Sequence, residues 1–363
     1  MPAGSSRDPN LDAAVAREVQ QVRELQAQVS AELTVIPLTG MRSMPAVAPV
    51  ATDGSQNRLS YDPVRIEILR VVDSAGKEHL RRYIPLSAGT DVIAELFRDV
   101  PLLASFLGRL GFSPDAYPEA FPLLPRPDDG PVQDAGGNEI GRALEDIRDI
   151  AEWAASLELA LASPTSVLVL RDGLLRSMSF SRTAIGRVSE LFRGAYERTG
   201  SLIVGVAKRS QLLSYLSLVL AVEGTFDHPY PCYAAVPESL ERLAHKWQKE
   251  WPGPRSFGRM YLVKFSPDRE GPVYPVDIPE WVEPARVREQ LEYLRGTCRF
   301  TFPVPGYPQP LALAHEQAAL GTLERSLLES QLAAAVAELC PADPERIARR
   351  VHLAQETVGR HET

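Results

Sequence analysis

Cysteine is scarce in this chain. Cys232, Cys298 and Cys340 are its only three in 363 residues, odd in number, widely spaced and without any Cys-x-x-Cys pattern. That excludes a disulfide framework and a structural zinc knot. Long apolar runs are missing too: no stretch reaches eighteen apolar residues, and Met1–Asp8 has no basic start followed by an apolar segment. A cytoplasmic protein with no membrane association is the expectation. A net positive charge is also lacking, since the formal charge is −8 and the isoelectric point about 5.4. The chain is no basic nucleic-acid coat, although an acidic centre with a local basic groove still engages phosphate. What is present, 44% hydrophobic and 24% charged residues, is enough for a packed globular core.

Two distant segments run from a strand-like stretch into Asp-Gly. Val47–Ala51 leads to Thr52-Asp53-Gly54-Ser55, and Val167–Leu170 to Arg171-Asp172-Gly173. An isolated Asp-Gly is most often a turn, with Asp accepting a local backbone hydrogen bond and Gly free to take positive φ. A carboxylate fixed at a strand end and followed by a glycine is also a way to hold a metal ion at a sheet edge.

The pattern around these segments predicts an amphipathic helix over 9–35 with a stripe of Leu11, Val15, Val19, Val22, Leu25, Val29 and Leu33. Strands follow at 47–53, 64–73 and 78–86, the last two joined by the turn Ser74-Ala75-Gly76-Lys77. The proline-rich stretch 112–139 reads as a loop or insertion. Helical periodicity runs from Gly141 to the stop at Ser163-Pro164-Thr165. Then come a strand at 167–170, a helix at 182–197, a strand at 202–206 and a helix from Ser210 to about Ala221. Further elements are a helix over 236–251, strands over 258–266 and 272–278, and helices over 309–340 and 343–358. Three antiparallel strands, a helix, then alternating parallel strands and helices is the order of a ribonuclease H-like α/β fold: a mixed sheet flanked by helices, here with N-terminal and C-terminal helical additions. In that order the first and fourth strands are neighbours, which would bring Asp53 and Asp172 to one sheet edge. A glutamate from the intervening helix would complete a carboxylate set for divalent ions.

Four pieces in succession resemble the motifs of the NurA nucleases: Pro49-Val50-Ala51-Thr52-Asp53-Gly54-Ser55, Val167–Leu175, Leu202–Lys208 and Gly306–His315. The resemblance covers roughly residues 45–335. It implies a manganese- or magnesium-dependent DNA nuclease of single-strand endonuclease and 5′–3′ exonuclease type. The family's members are homodimers and process DNA ends with a hexameric HerA-type ATPase. Carried onto this chain, the resemblance makes Asp53, Glu152, Asp172 and His315 metal ligands, with Tyr307 also catalytic. Glu152 takes its place from its twenty-residue separation from Asp172; Glu158, which interrupts the apolar face of the helix, is the rival, and Glu145 a more distant one. On its own pattern Glu152 belongs to a solvated face, paired with Arg148 one turn earlier. Tyr307 and His315 stand eight apart as the family's late tyrosine and histidine do.

Lys208, just past a strand, would neutralise a DNA phosphate; an exposed strand-end lysine is the plainer alternative. Arg171 beside the second aspartate, and Leu174 where a small polar residue is common, depart from the family pattern. Residues 245–255 interleave aromatic and basic groups, as single-strand binding or an amphipathic helix would. The domain plan expected is an N-terminal helix over 1–40 for dimer or partner contact, a nuclease domain over 41–335 with the insertion at 112–139, and a C-terminal helical segment over 336–363. Two rivals stand beside the nuclease: a catalytically silent dimeric adaptor between DNA and a motor ATPase, and a phosphotransferase of the actin and hexokinase type. The second lacks a further glycine-rich phosphate loop after residue 165.

Overall fold

A computed structural model describes residues 9–40, 47–61, 64–126, 138–245, 255–298 and 305–338. The expected helix at 343–358, residues 246–251 of the helix expected over 236–251, and Cys340 lie outside them. Helix α1 (Pro9–Glu32) carries the stripe read in the sequence; Leu25 and Val29 are buried on it, while Leu11, Val15 and Val19 stay exposed. After the two-residue strand β1 (Ile36–Pro37) comes an antiparallel meander of β2 (Ala48–Tyr61), β3 (Val64–Asp73) and β4 (Glu78–Pro85). The turn between β3 and β4 is built as its residues suggest: Gly76 has φ +82°, and Asp73 Oδ1 accepts from the Ala75 and Lys77 amides at 2.9 and 3.0 Å.

β2 corrects one expectation. It does not end at Asp53-Gly54 but pairs with β3 without interruption from Thr52↔Asp73 through Gly54↔Val71 to Tyr61↔Val64. The polar run Ser55-Gln56-Asn57-Arg58 hid the second half, because a strand paired on a partly exposed surface needs no apolar alternation. Helices α2 (Asp91–Asp99) and α3 (Pro101–Arg109) follow, the second started by proline in its first turn after extended Val100. The described part of the proline-rich stretch, residues 112–126, is likewise more than a loop, while 127–137 lie outside the described residues. A 3₁₀ turn at Pro114–Ala116 leads into α4 (Tyr117–Ala120), and Tyr117 and Phe121 are buried with ring centroids 5.0 and 5.4 Å from Phe97.

Next come α5 (Asn138–Ala162), β5 (Val167–Asp172), the short β6 (Arg176–Ser177), α6 (Arg182–Thr199), β7 (Leu202–Val206) and α7 (Gln211–Glu223). α7 starts where Ser210 accepts from the Leu213 amide and stops at Gly224, φ +60°. The chain finishes through β8 (Cys232–Ala235), α8 (Glu238–His245), β9 (Arg255–Ser256), β10 (Gly258–Lys264), β11 (Val273–Pro279), α9 (Pro284–Gly296), α10 (Gln309–Ala318) and α11 (Thr322–Ala337). The helix expected over 309–340 is thus two, separated at residues 319–321.

Nine strands form one mixed sheet in the order β1-β8-β10-β11-β7-β5-β2-β3-β4, flanked by helices; β6 and β9 pair separately. β5 and β7 are parallel and joined through α6. The expected run of parallel strands stops there: β11 is antiparallel to β7, and β10 and β8 continue antiparallel.

Two compact units divide the chain. One consists of residues 1–51, 159–178 and 185–312. Its interior includes β7, buried at all five residues, and a cluster in which Leu25 and Val29 of α1 join Leu212 and Leu216 of α7 and Leu262 of β10. The other consists of residues 52–158, 179–184 and 313–363. Its core is aromatic, with Phe180 edge-on to Phe121 and Trp153 at 5.1 and 5.9 Å.

Candidate metal centre

Alternation along β2 sorts the first Asp-Gly motif onto two faces. Thr52 and Gly54 look toward α5: the Thr52 and Ser156 hydroxyls are 2.7 Å apart, and a Cβ on Gly54 would lie 2.7 Å from Glu152 Oε1 and 2.8 Å from Arg148 Cγ. Asp53 and Ser55 therefore look the other way. On that side α10 meets them, with Asp53 Oδ2 2.7 Å from His315 Nδ1 and the Ser55 hydroxyl donating to Ala318 O at 2.5 Å. Asp53 is buried and its Oδ1 accepts from the Gly54 amide at 2.8 Å. The His315 side chain is 65% exposed, so one ring edge holds the carboxylate while the rest faces solvent.

Glu152 is buried, not on a solvated face, and Arg148 Nε stands 3.5 Å from its Oε1. Its carboxylate rests against Gly54, on the α5 side of β2 and away from the side that Asp53 and His315 share. Glycine at 54 is accordingly a matter of space, not of turn geometry. Its rival Glu158 is half-buried on the same helix.

The second Asp-Gly motif does end a strand. Asp172 pairs with Val206 as the last parallel rung of β5 and β7, and Gly173, φ +131°, turns away while its amide donates to Val206 O at 3.0 Å. Ligand groups gather readily at the carboxyl ends of parallel strands, and here both ends coincide. Two residues past β7, Lys208 places Nζ 3.4 Å from Asp172 Oδ2 and 5.1 Å from the ring centroid of Tyr307. The buried Tyr307 ring leans on Tyr274 at 5.5 Å. Tyr307 thus serves Lys208 as a cation–π platform, a relation no spacing in the sequence suggested. Arg171 is kept off Asp172: it lies one step along the pleat and its Nη1 donates to Leu174 O at 3.0 Å, curled over Gly173 so closely that a Cβ there would sit 2.3 Å from it.

Residues 49–320 match the family model of the NurA domain. The chain belongs to the NurA domain family. Among solved structures it is similar to the crystal structure of the NurA nuclease from Sulfolobus solfataricus, 14% identical over 91% of this chain and 94% of that one, with a TM-score of 0.47. It is also similar to a crystal structure of NurA bound to dAMP and manganese, 14% identical over 94% and 99% of the two chains, with a TM-score of 0.41. No curated protein matches it. Among the described residues of this NurA-family chain, no helix is long and apolar enough to cross a membrane.

Proposed function

We propose that the chain is a divalent-metal-dependent nuclease hydrolysing DNA phosphodiesters, with Asp53, Asp172 and His315 as ligands of the ion. The observation that carries the reading is the pair at β2: buried Asp53 holds its Oδ2 2.7 Å from His315 Nδ1, a carboxylate and an imidazole side by side, and family membership adds Asp172 to them. An octahedral ion with bonds of about 2.1 Å spaces its ligands roughly 3–4.2 Å apart, so small rotamer changes suffice. Two carboxylates with one imidazole suit manganese, or magnesium with the imidazole more weakly held. Such an ion, when bound, supplies Lewis acidity at the phosphoryl oxygen and a water of lowered pKa.

The chain's own groups take the remaining tasks. Asp53, buried and held by the Gly54 amide, would present its carboxylate to the ion from a fixed position. His315 serves as a neutral base toward the ion, and a hydrogen bond from one ring nitrogen to Asp53 leaves the other nitrogen as donor. Lys208 meets a phosphate oxygen from beside Asp172, held in place by the Tyr307 ring, and the Tyr307 hydroxyl is the proposed further contact to phosphate or water. Glu152 acts from the opposite side of β2, as the carboxylate of the helix that backs Asp53. Single-strand endonuclease and 5′–3′ exonuclease action in DNA end processing, a homodimer, a HerA-type hexameric ATPase partner and a cytoplasmic location complete the proposal. Family membership supports it, and the exposed Leu11, Val15 and Val19 on α1 support a contact with another chain.

The test uses end-labelled single- and double-stranded DNA with manganese or magnesium. Wild type should cleave, chelation should stop it, and Asp53→Ala and Asp172→Ala should each lower the rate by about 100-fold or more while remaining folded. Equal cleavage by wild type and Asp172→Ala sinks the assignment.

A further inference from the structure

We infer that Asp277 and Arg176 are positioning residues for Asp172, acting through the segment that follows it. The inference rests on Asp172 being a metal ligand and adds what holds that ligand still. After Gly173 the chain crosses the sheet at very close range. A Cβ on Gly205 of β7 would lie 2.6 Å from Gly173 O and 2.9 Å from Leu175 N, and one on Gly258 of β10 would lie 2.9 Å from Leu175 Cβ. Only glycines let residues 173–175 pass there.

At the far side Asp277, on β11 and fully buried, takes three donors on one carboxylate. The Leu175 amide and Arg176 Nε donate to Oδ2 at 3.0 and 2.8 Å, and Arg176 Nη2 donates to Oδ1 at 2.8 Å. Arg176 Nη1 also reaches Glu241 Oε2 at 3.2 Å. The Leu175 carbonyl is engaged as well, by the Ser256 hydroxyl and the Phe257 amide, both at 3.3 Å.

A buried carboxylate with a bidentate guanidinium is tolerated because its partners replace water, and removing one partner leaves the other charge stranded. The location makes this more than a stabilising pair. Asp172 is anchored before by the β5–β7 ladder and after by this clamp, which takes hold at the Leu175 amide and the Arg176 side chain, so its backbone is held on both sides. Ligand carboxylates bind well only when held to about 0.5 Å of the productive geometry. Loosening the clamp lets residues 173–176 swing and returns that freedom to Asp172.

The experiment measures manganese binding directly, by electron paramagnetic resonance of the free ion, on wild type, Asp172→Ala, Asp277→Asn and Arg176→Lys at a temperature where circular dichroism shows each folded. Asp277→Asn keeps the shape and removes the charge, and should weaken binding about tenfold. Arg176→Lys loses the fork but keeps the charge and should weaken it about threefold. A purely structural pair lowers melting temperatures and leaves manganese affinity of the folded protein unchanged; that result in both variants overturns the inference. If Asp277→Asn does not fold, Arg176→Lys decides. Equal binding by wild type and Asp172→Ala overturns instead the ligand assignment itself.

Discussion

Gly54 is held to a hydrogen side chain by two neighbours at once, Glu152 Oε1 and Arg148 Cγ, each less than 3 Å from where a Cβ would stand. Gly54→Ala should therefore destabilise the protein by about 1–3 kcal/mol, the usual cost of overpacking a filled site. Urea unfolding measures it. Adding Glu152→Ala should return part of the loss, since a shortened side chain vacates the nearest contact; a fully additive double variant would show that the two residues do not compete for space. The same contact shows how far single residues are legible. Asp53, Asp172 and His315 are recognisable by type and order along the chain. The side on which Glu152 meets β2 is not, because it depends on the phase of α5 against the strand pleat, which packing decides. Lys208 on the Tyr307 ring is equally silent in sequence: nearly a hundred positions separate them, and only the folded chain brings cation and ring together.

Elements with an apolar signal of their own were readable: β5, β7, β10 and β11 are buried strands, and α7 carries both its caps in its residues. Those missed lack such a signal. The second half of β2 is polar, β8 is four residues long, and α9 interleaves charged residues with buried Val287, Leu291 and Leu294. α11 is a special case, for it buries no residue; Leu323 and Leu327 are largely exposed. Its tie to the meander is Glu324, 3.3 Å from Arg70 and 2.7 Å from Arg81, two arginines that also share Glu78. Partly exposed pairs of this kind contribute about 0.2–1 kcal/mol each and weaken with salt. Glu324→Ala should then speed amide hydrogen exchange across 322–337 while leaving that of β3 and β4 unchanged, and 1 M salt should do the same to wild type. Unaltered exchange in α11 would mean that something other than these charges holds it.

Among the described residues of the molecule no disulfide is present, so stability there rests on burial, and the thiols of Cys232 and Cys298 report on that burial. Cys232 and Cys298 are both free and buried. Loss of solvation raises both thiols above the ordinary range, Cys298 from 9.0 to about 12 with only a small opposing pull from the Thr297 hydroxyl, and Cys232 despite the nearby Lys264 ammonium. The thiolate is the reactive form, so a rise of three units leaves about a thousandth of the usual thiolate below pH 9. The sign for stability follows: the folded state favours the neutral thiol, a preference fully present below about pH 9 and lost as pH climbs toward 12. In native protein at pH 8.5, iodoacetamide should therefore leave the peptides containing Cys232 and Cys298 unmodified over hours, whereas in urea both should react at the rate of a free thiol. Peptide mass mapping reads the two sites separately. Alkylation of Cys298 in folded protein at a free-thiol rate would mean that this part of the core opens without global unfolding, since no reagent reaches a thiol so enclosed unless the packing around it parts first.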